Sequence, residues 1–334
     1  MGMAALDLSR EATEFPGKPI AGDRAWLARD ITEDDWLVRL NRPAIDEIRS
    51  MAAKIEAQPL PTVLRRIEEF DCPNLLEAVA RARHILDAGC GFTVLDRLPM
   101  DEFDIDLMVT VFWVIGEKLG TQVAQKWDGT MLYDVTDTGK KWGYGVRGSA
   151  TNVELVFHVD NAFGPVLPDY VGLLCKYPAI EGGLSRFCSL HTLHNRLLEE
   201  VPQLLERLYQ PMFYDRQAEH DAGAPKTSWA PFFGWDGERI RSRANVQLVR
   251  KGYEVAGRQM DDELAEALEA VERISRSGDL WYEAPIERGQ LQYLNNQTLG
   301  HYRSEFQDNP EPALKRHLFR TWHRSSGLRT YEGV

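Results

Sequence analysis

The sequence predicts an α+β fold that is mainly β, with a sheet core flanked by helices. Short β-prone segments alternate with Gly, Asp and Asn clusters over residues 121–180. Similar segments return near the carboxyl end, and segments with apolar residues at helical spacing lie before and between them. A chain of 334 residues can form one large β domain with helical additions, so we expect a single domain over 1–334.

Three helices are predicted ahead of the sheet region. Residues 1–85 are expected to form a helical cap, and within them residues 44–51 place apolar side chains at helical spacing. Residues 71–89 carry Asp and Pro at the start, a stripe of apolar residues and Gly at the end. Residues 101–119 form a broad apolar face closed by Gly, which predicts a helix that packs on a sheet.

The β-prone segments predict a core over residues 86–325. Each is short, contains β-branched or aromatic residues and is bounded by turn-forming residues. The segments are 91–96, 131–135, 153–160, 170–177, 289–295 and 316–322.

Helices and one long loop are expected to interrupt this core. Residues 189–208 have leucines at helical spacing, and Pro202 should kink or split the helix. Residues 261–276 begin with a capping Asp and have an apolar inner face, as a helix would. Residues 215–238 are rich in Gly, Pro and Asp and long for a connection, so we expect a lid loop over an active site.

Composition and charge exclude several classes of protein. An apolar fraction of 43% with 27% charged residues is typical of a globular protein. The net charge of -12 is spread along the chain, and an acidic surface disfavours binding to nucleic acid, so we expect no such partner. No apolar run reaches the length of a bilayer-spanning helix, so we expect no membrane association.

Cysteine spacing and the N-terminal segment bear on the compartment. The four cysteines have no CxxC spacing and are expected to be buried free thiols. The first residues contain acids and no continuous apolar segment, unlike a secretory signal. These features favour a cytoplasmic protein, and they leave the formation of homo-oligomers open.

The strongest chemical signal is the pair His158 and Asp160 at the end of an apolar, β-prone run. On a strand, residues i and i+2 point the same way, so an imidazole and a carboxylate would face one side together. Two adjacent ligands of one metal ion require this arrangement. A hydrogen-bonded His–Asp pair without a metal is the alternative.

A third ligand must come from elsewhere in the chain, and His301 follows a β-prone segment and an Asn-Asn turn. Two histidines and one carboxylate on one face of an octahedron leave three positions open, as in non-haem Fe(II) oxygenases. A histidine that only caps a turn is the alternative for His301.

Arg316 and Arg320 lie in the last β-prone run. A planar guanidinium binds a carboxylate through two parallel hydrogen bonds, so an arginine suits the far carboxylate of a 2-oxo acid. On a regular strand the two arginines would share a face. Two arginines on a solvated sheet edge are the alternative.

These motifs together resemble the TauD/TfdA, clavaminate synthase-like family of Fe(II)/2-oxoglutarate-dependent oxygenases, over most of residues 85–325. The motifs that carry the resemblance are His158-Val159-Asp160, Gly182-Gly183-Leu184-Ser185, Tyr293-Leu294-Asn295-Asn296 through His301, and Lys315 to Arg320, with Gly91 to Leu95 upstream. The resemblance implies a distorted double-stranded β-helix, or jelly roll, with flanking helices and a metal in the barrel mouth.

The resemblance also implies roles for single residues. In that family the HxD pair and the later histidine bind iron, which transfers to His158, Asp160 and His301. Ser185 stands where the family offers a hydroxyl, often that of threonine, to 2-oxoglutarate. Arg316 would pair with the far carboxylate of 2-oxoglutarate, and Arg320 would face the substrate or the same carboxylate.

The implied activity uses Fe(II), 2-oxoglutarate and O2 to oxidise, and above all to hydroxylate, a small organic molecule, with formation of succinate and CO2. Arg320 suggests a carboxylate or another anionic group on that substrate. Trp142, Tyr144, Arg147 and Asn152 lie in the approach to the HxD strand, and Phe232, Phe233 and Trp235 in the predicted lid could close over the opening. Tyr302 stands where the family commonly has a small residue, and its bulk could reshape the pocket.

Other functions remain compatible with the sequence. Two histidines and an aspartate also describe a catalytic zinc site, so a divalent-metal hydrolase is one alternative. A non-catalytic small-molecule binding protein on the same scaffold is another. Hydroxylation of a protein side chain is a third, although the sequence shows no partner-binding module.

Overall fold

Seven α-helices occur in the part of the chain that the computed structural model describes, residues 5–11, 13–141, 143 and 145–333. They are α1 (Arg42–Ala57), α2 (Pro73–Ala88), α3 (Ile105–Gly116), α4 (Leu190–Glu200), α5 (Pro202–Arg207), α6 (Val246–Ala256) and α7 (Asp262–Ser275).

The described residues also contain eighteen β-strands in five sheets, so the architecture is mixed α/β. The strands are β1 (Leu6–Asp7), β2 (Leu37–Arg39), β3 (Phe92–Asp96), β4 (Thr121–Val123), β5 (Tyr133–Val135), β6 (Leu155–His158), β7 (Tyr170–Tyr177), β8 (Glu181–Gly182), β9 (Ser185–Ser189), β10 (Pro211–Asp215), β11 (Thr227–Pro231), β12 (Phe233–Trp235), β13 (Ile240–Ser242), β14 (Trp281–Glu283), β15 (Leu291–Asn295), β16 (Leu299–Arg303), β17 (Phe306–Gln307) and β18 (His317–Arg324).

Two sheets face each other and hold the core between them. The large sheet runs in the order β2-β3-β15-β7-β18-β4, with β5 also paired to β18, and the small sheet runs β14-β9-β16-β6. Phe92 from the large sheet stacks on Phe187 from the small sheet, with ring centroids 4.4 Å apart and an angle of 14° between the planes. Both rings are fully buried, so the space between the sheets is apolar at this end.

The predicted helices of the first 120 residues are confirmed, and each begins at an identifiable signal. The side chain of Asn41 accepts a hydrogen bond from the backbone N–H of Ala44, which caps α1, and Pro43 lies in the first turn of that helix. α2 begins at a proline and ends against Gly89. α3 buries nearly its whole length and contacts β7 and β18 of the large sheet, as the broad apolar face predicts.

The helical prediction for residues 189–208 is also confirmed, including the interruption at proline. α4 ends at Glu200 and α5 begins at Pro202, because proline lacks the N–H that would continue the helix. α7 begins after Asp261, whose carboxylate accepts a hydrogen bond from the N–H of Leu264. Sequence and structure agree on this cap.

The prediction that residues 215–238 form one long loop is wrong, because strands lie in this range. β11 and β12 lie inside this range, and β11 pairs antiparallel with β10 in a hairpin and parallel with β1. Phe232 and Phe233 are buried in the core and do not line the pocket. α6, which Asn245 caps through the N–H of Leu248, was not predicted.

The N-terminal residues supply strands as well as the helices expected of a cap. β2 extends the large sheet by pairing in parallel with β3. β1 adds an edge to the separate sheet that β10 and β11 form. Two expectations from composition are confirmed: the four cysteines are buried and free, and among the described residues no helix has the length and apolar character to cross a bilayer.

Gly172 lies at the centre of the large sheet, where a side chain has no room. It pairs with Tyr293 on β15 and with Thr321 on β18. A Cβ at this position would lie 2.5 Å from the Tyr293 ring and 2.8 Å from the Thr321 hydroxyl. The ring of Tyr293 therefore fills the space that the glycine leaves.

Gly172→Ala should lower the free energy of unfolding by about 1–3 kcal/mol, because the ring of Tyr293 must leave its position. Urea denaturation of both proteins measures the difference. Gly278→Ala is the control, since a Cβ at Gly278 would meet nothing within 4 Å. Equal stability of the two alanine variants would show that Tyr293 repacks without cost.

Candidate active site

The register between β6 and β16 brings two distant histidines together. His301 on β16 is the direct cross-strand partner of His158 on β6. Their ring centroids lie 4.1 Å apart, and both side chains are partly buried inside the pocket between the sheets. The two imidazoles therefore approach one point in space.

Asp160 completes this cluster from the residues that follow β6. Its backbone N–H donates to the side-chain oxygen of Asn296, and the Asn296 amide donates back to the Asp160 carbonyl at 3.0 Å. The same amide also binds the carbonyl of Pro168. Asn296 is fully buried, so the turn before β16 fixes the backbone of Asp160 beside His301.

The three side chains offer donors that fit one metal ion. Asp160 Oδ1 lies 3.8 Å from His158 Nε2 and 3.7 Å from His301 Nε2. All three donor atoms lie within 4.8 Å of one another. On one face of an octahedron with metal bonds of about 2.1 Å, donors lie about 3.0 Å apart, so the three donor atoms would approach one another by about 1–2 Å on shared coordination.

The protonation of His158 suits a ligand. Burial, reinforced by the neighbouring His301, lowers the pKa of His158 to about 3, so the ring is neutral at pH 7. Its Nδ1 lies 2.7 Å from the carbonyl of Val156. Since a carbonyl only accepts, the proton is on Nδ1 and the lone pair of Nε2 faces the cluster.

The second carboxylate oxygen of Asp160 is held by the large sheet. Trp322 Nε1 donates to Asp160 Oδ2 at 2.8 Å, and Arg320 Nη1 lies 3.0 Å from the same oxygen. Burial alone would raise the pKa of Asp160, but Arg320 and the two imidazoles outweigh it and lower the pKa below the ordinary value. Asp160 is therefore ionised, with Oδ1 left toward the histidines.

The Gly-Gly motif makes room for Arg316. Gly182 has φ of +71°, and a Cβ there would lie 2.1 Å from the carbonyl oxygen of Glu305. Gly183 has φ of +66°, and its Cβ would lie 3.0 Å from Arg316 Nε. Only glycine fits both positions, and Ser185 follows them on β9, lining the same pocket as Arg316.

All six predicted site residues line one pocket between the sheets. They are His158, Asp160, Ser185, His301, Arg316 and Arg320. The histidines and Asp160 form one cluster. Arg316 and Arg320 have different neighbours, which shows that they lie at separate places along the pocket. Arg316 lies over the ring of Phe306, and Arg320 lies over Tyr133 and Trp322.

The polar side chains around Arg320 form contacts that were not predicted from the sequence. Arg320 Nε donates to Gln125 Oε1, and Arg147 donates to the backbone carbonyl of Gln125. Arg147 also forms an ion pair with Glu219 at 2.9 Å, and both side chains are nearly buried. Both guanidinium groups lie over the ring of Tyr133, so two cations lie side by side near the cluster.

The other residues named from sequence have mixed positions. Arg147 lines the pocket, whereas Asn152 does not and instead approaches the carbonyl of Phe306 at 3.5 Å. Trp142 and Tyr144 lie outside the described residues. Tyr302 packs on Phe157 and donates its hydroxyl to Glu154.

Three residues that hold this geometry were missed by sequence reasoning, and so was a fourth residue that lines the pocket, Arg303. Asn296 belongs to one of the family-like motifs but had no role there, and nothing distinguishes Gln125 or Trp322 in a single sequence. Arg303 could have been found, because it lies two residues after His301 and therefore on the same face of the strand.

The chain is similar to known proteins over most of its length. Residues 48–322 match the family described as "Taurine catabolism dioxygenase TauD, TfdA family". The chain is 26% identical over 315 residues to FR-33289 synthase of Streptomyces rubellomurinus. The aligned region covers 92% of this chain and 91% of that protein.

Solved structures show a similar fold. One is asparagine oxygenase in complex with Fe(II), 2S,3S-3-hydroxyasparagine and succinate, with a TM-score of 0.64, 21% identity and coverage of 87% of this chain and 94% of that one. Another is the non-heme iron oxygenase OrfP in complex with Fe and alpha-ketoglutaric acid, with a TM-score of 0.61, 15% identity and the same coverage. At these levels of sequence identity, the similarity shows that the fold is shared.

Trp322→Phe should weaken the binding of a divalent metal about 10- to 100-fold, because Asp160 Oδ2 loses the indole donor that orients it. Calorimetric titration with Co(II) measures the dissociation constant. Trp281→Phe is the control, since that indole donates to the carbonyl of Arg276 and lies outside the pocket. Unchanged affinity in the Trp322 variant would show that Arg320 alone holds Asp160.

Proposed function

The chain belongs to the TauD/TfdA dioxygenase family, and from this premise we propose that His158, Asp160 and His301 are its iron ligands. The family is one of Fe(II)- and 2-oxoglutarate-dependent oxygenases, and this chain is such an enzyme. The observation that supports the ligand assignment is the convergence of three donor atoms within 4.8 Å of one another at the wall of one pocket. Two imidazoles and a carboxylate are the donor set that suits ferrous iron in this class.

The bound cofactors supply the oxidising chemistry: 2-oxoglutarate and O2 are consumed, succinate and CO2 are formed, and a C–H bond of the substrate is hydroxylated. The chain supplies binding, orientation and exclusion of water. Apolar side chains from both sheets line the space around the cluster, among them Val171, Leu173, Phe187 and Leu294. Such walls keep water from the reacting groups.

We assign the binding of 2-oxoglutarate to Ser185 and Arg316. Arg316 is 4% exposed and lies in the pocket with its Nη1 atom unpartnered among the described residues. A buried guanidinium without a carboxylate is costly, so an incoming carboxylate would relieve that cost. The hydroxyl of Ser185, on the same face of the small sheet as the histidines, can donate to the same group.

We assign the binding of an anionic group on the substrate to Arg320 and Arg147. Arg320 lines the pocket and contacts Gln125 through Nε and Asp160 through Nη1, so its Nη2 takes part in neither contact. Arg147 lies beside it at the pocket wall. Two adjacent guanidinium groups favour a carboxylate or a similar anion. A small organic substrate agrees with the hydroxylated amino acid held by the asparagine oxygenase structure.

The architecture behind this assignment is also part of the proposal. The two facing sheets would form a distorted double-stranded β-helix, or jelly roll, within a single oxygenase domain over 1–334. Residues 1–85 would cap a core over 86–325. Residues 215–238 would cover the opening, with Gln217 as the pocket contact that supports this role.

A zinc hydrolase is not favoured. The same three ligands could hold zinc, but hydrolysis gives no role to a buried guanidinium such as Arg316, whereas a 2-oxo diacid does. The family match also belongs to dioxygenases.

His158→Ala, Asp160→Ala and His301→Ala should each abolish the formation of succinate, because each removes one of three protein ligands. The measurement is succinate released from 2-oxoglutarate under air with added Fe(II). His84→Ala is the control, since His84 is exposed on α2 and should retain the wild-type rate.

Wild-type protein that hydrolyses a substrate with Zn(II) and forms no succinate with Fe(II) would overturn the proposed function. Succinate formation that survives loss of one histidine would instead overturn only the ligand assignment.

Arg147→Met should raise the KM for an anionic substrate about 10- to 100-fold, because one charge-assisted hydrogen-bonding partner is lost. A panel of small carboxylates and amino acids that stimulate succinate formation provides the substrate. The KM for the co-substrate serves as the internal control and should stay unchanged, since Arg147 and Arg316 have different neighbours. An equal change in both KM values would contradict the separate assignment.

A further inference from the structure

Arg303 lines the same pocket as His158, Asp160 and His301. On β16 it follows His301 by two residues, so both side chains face the inside of the small sheet. Its cross-strand partner on β9 is Ser185, just as the partner of His301 is Phe187. Two residues of a strand span about 6.6 Å, which is comparable to the length of an extended five-carbon diacid.

The guanidinium of Arg303 is anchored at one edge and free at the other. Nη2 donates to the backbone carbonyls of Thr151 and Val153. Nε and Nη1 are buried and have no hydrogen-bond partner among the described residues. An arginine with one edge held and two donors unsatisfied is prepared for a further acceptor.

Arg316 presents a second unsatisfied donor in the same place. Its Nη1 is buried without a partner, and both guanidinium carbons lie 4.9 Å from the centre of the Phe306 ring. Within the described part of the chain, no carboxylate oxygen lies within 4 Å of either guanidinium. Both guanidinium groups line the pocket and lack a carboxylate in contact, and Asp308 and Asp137 act on them only at longer range.

Three other buried arginines each have a carboxylate partner. Arg65 pairs with Glu69, Arg207 with Asp261, and Arg320 with Asp160. Arginine keeps its charge at pH 7 even when buried, so Arg303 and Arg316 are two cations in the pocket with no carboxylate in contact among the described residues.

We propose that Arg303 is a second binding residue for the distal carboxylate of the co-substrate, which it grips together with Arg316 and Ser185. This inference rests on the proposed function, because it takes the ligand to be a 2-oxo diacid held at His158, Asp160 and His301. Two guanidinium groups and a hydroxyl offer more donors than one arginine can. The site selects diacids over 2-oxo acids that lack the second carboxylate.

The test compares two ligands of equal chain length, 2-oxoglutarate and 2-oxopentanoate, which has a methyl group where 2-oxoglutarate has its distal carboxylate. Calorimetric titration of the Fe(II)-loaded protein without oxygen gives both dissociation constants. Arg303→Met should weaken 2-oxoglutarate about 10- to 100-fold and leave 2-oxopentanoate within about twofold, since a charged hydrogen bond is lost only for the diacid. Arg316→Met should behave in the same way.

The double variant Arg303→Met with Arg316→Met shows whether both residues act on one group. Its loss of 2-oxoglutarate affinity should be smaller than the product of the two single losses, because residues that share a partner are not additive. Arg186→Met is the matched control, as Arg186 follows Ser185 on β9 but pairs with Glu283 outside the pocket. It should leave both affinities unchanged.

A structural role for Arg303 would give a different result. Loss of the bonds to Thr151 and Val153 alone would lower the melting temperature and weaken both ligands equally, and that result overturns the inference. If Arg303→Met does not fold, Arg303→Lys replaces it; the lysine keeps the charge but cannot span both carbonyls and a carboxylate, so selective loss of 2-oxoglutarate is again expected. Wild-type protein that binds neither ligand in the presence of Fe(II) overturns the proposed function as well.

Discussion

The pairing of β6 with β16 at His158 and His301 is the constraint on which the rest of the site depends. Because side chains alternate along a strand, a slip of one residue would turn His301 away from His158. Two hydrogen bonds between the side chain of Asn296 and the backbone of Asp160 stabilise this pairing. The register of β16 with its other neighbour, β9, places Arg303 opposite Ser185, so β16 links the His158–His301 pair to the Ser185 end of the pocket.

Side chains from both sheets set the charge balance of the pocket. The carboxylate of Asp160 is held from the large sheet by Arg320 and Trp322, while both histidines come from the small sheet. The negative charge of Asp160 offsets Arg320, and Glu219 offsets Arg147. The pair Arg303 and Arg316 has no carboxylate in contact among the described residues, so in the proposed complex the diacid would complete the charge balance at that end.

Much of this could be predicted from the sequence, and the failures have physical causes. Helices such as α3 and the break at Pro202 follow from local periodicity and from the missing N–H of proline. The HxD pair and His301 could be predicted because His and Asp are uncommon in strands and because both side chains can bind a metal ion. By contrast, β11 was taken for loop because its stability comes from pairing with β10 and the distant β1, which no local pattern shows. The roles of Gln125 and Trp322 likewise exist only through contacts across the fold.

The use of arginine at four positions in one pocket follows from the shape of the guanidinium group. A lysine ammonium is a single point of charge, whereas guanidinium has five donors in a rigid plane, so one edge can be fixed while another stays available. Arg303 fixes Nη2 on two carbonyls, and Arg320 fixes Nε on Gln125 and Nη1 on Asp160. Each is therefore oriented by the protein before a ligand arrives, which lowers the entropy cost of binding. In the proposed complex the pocket would hold two separate anions beside a metal, and such a pocket gains most from cations that are already in place.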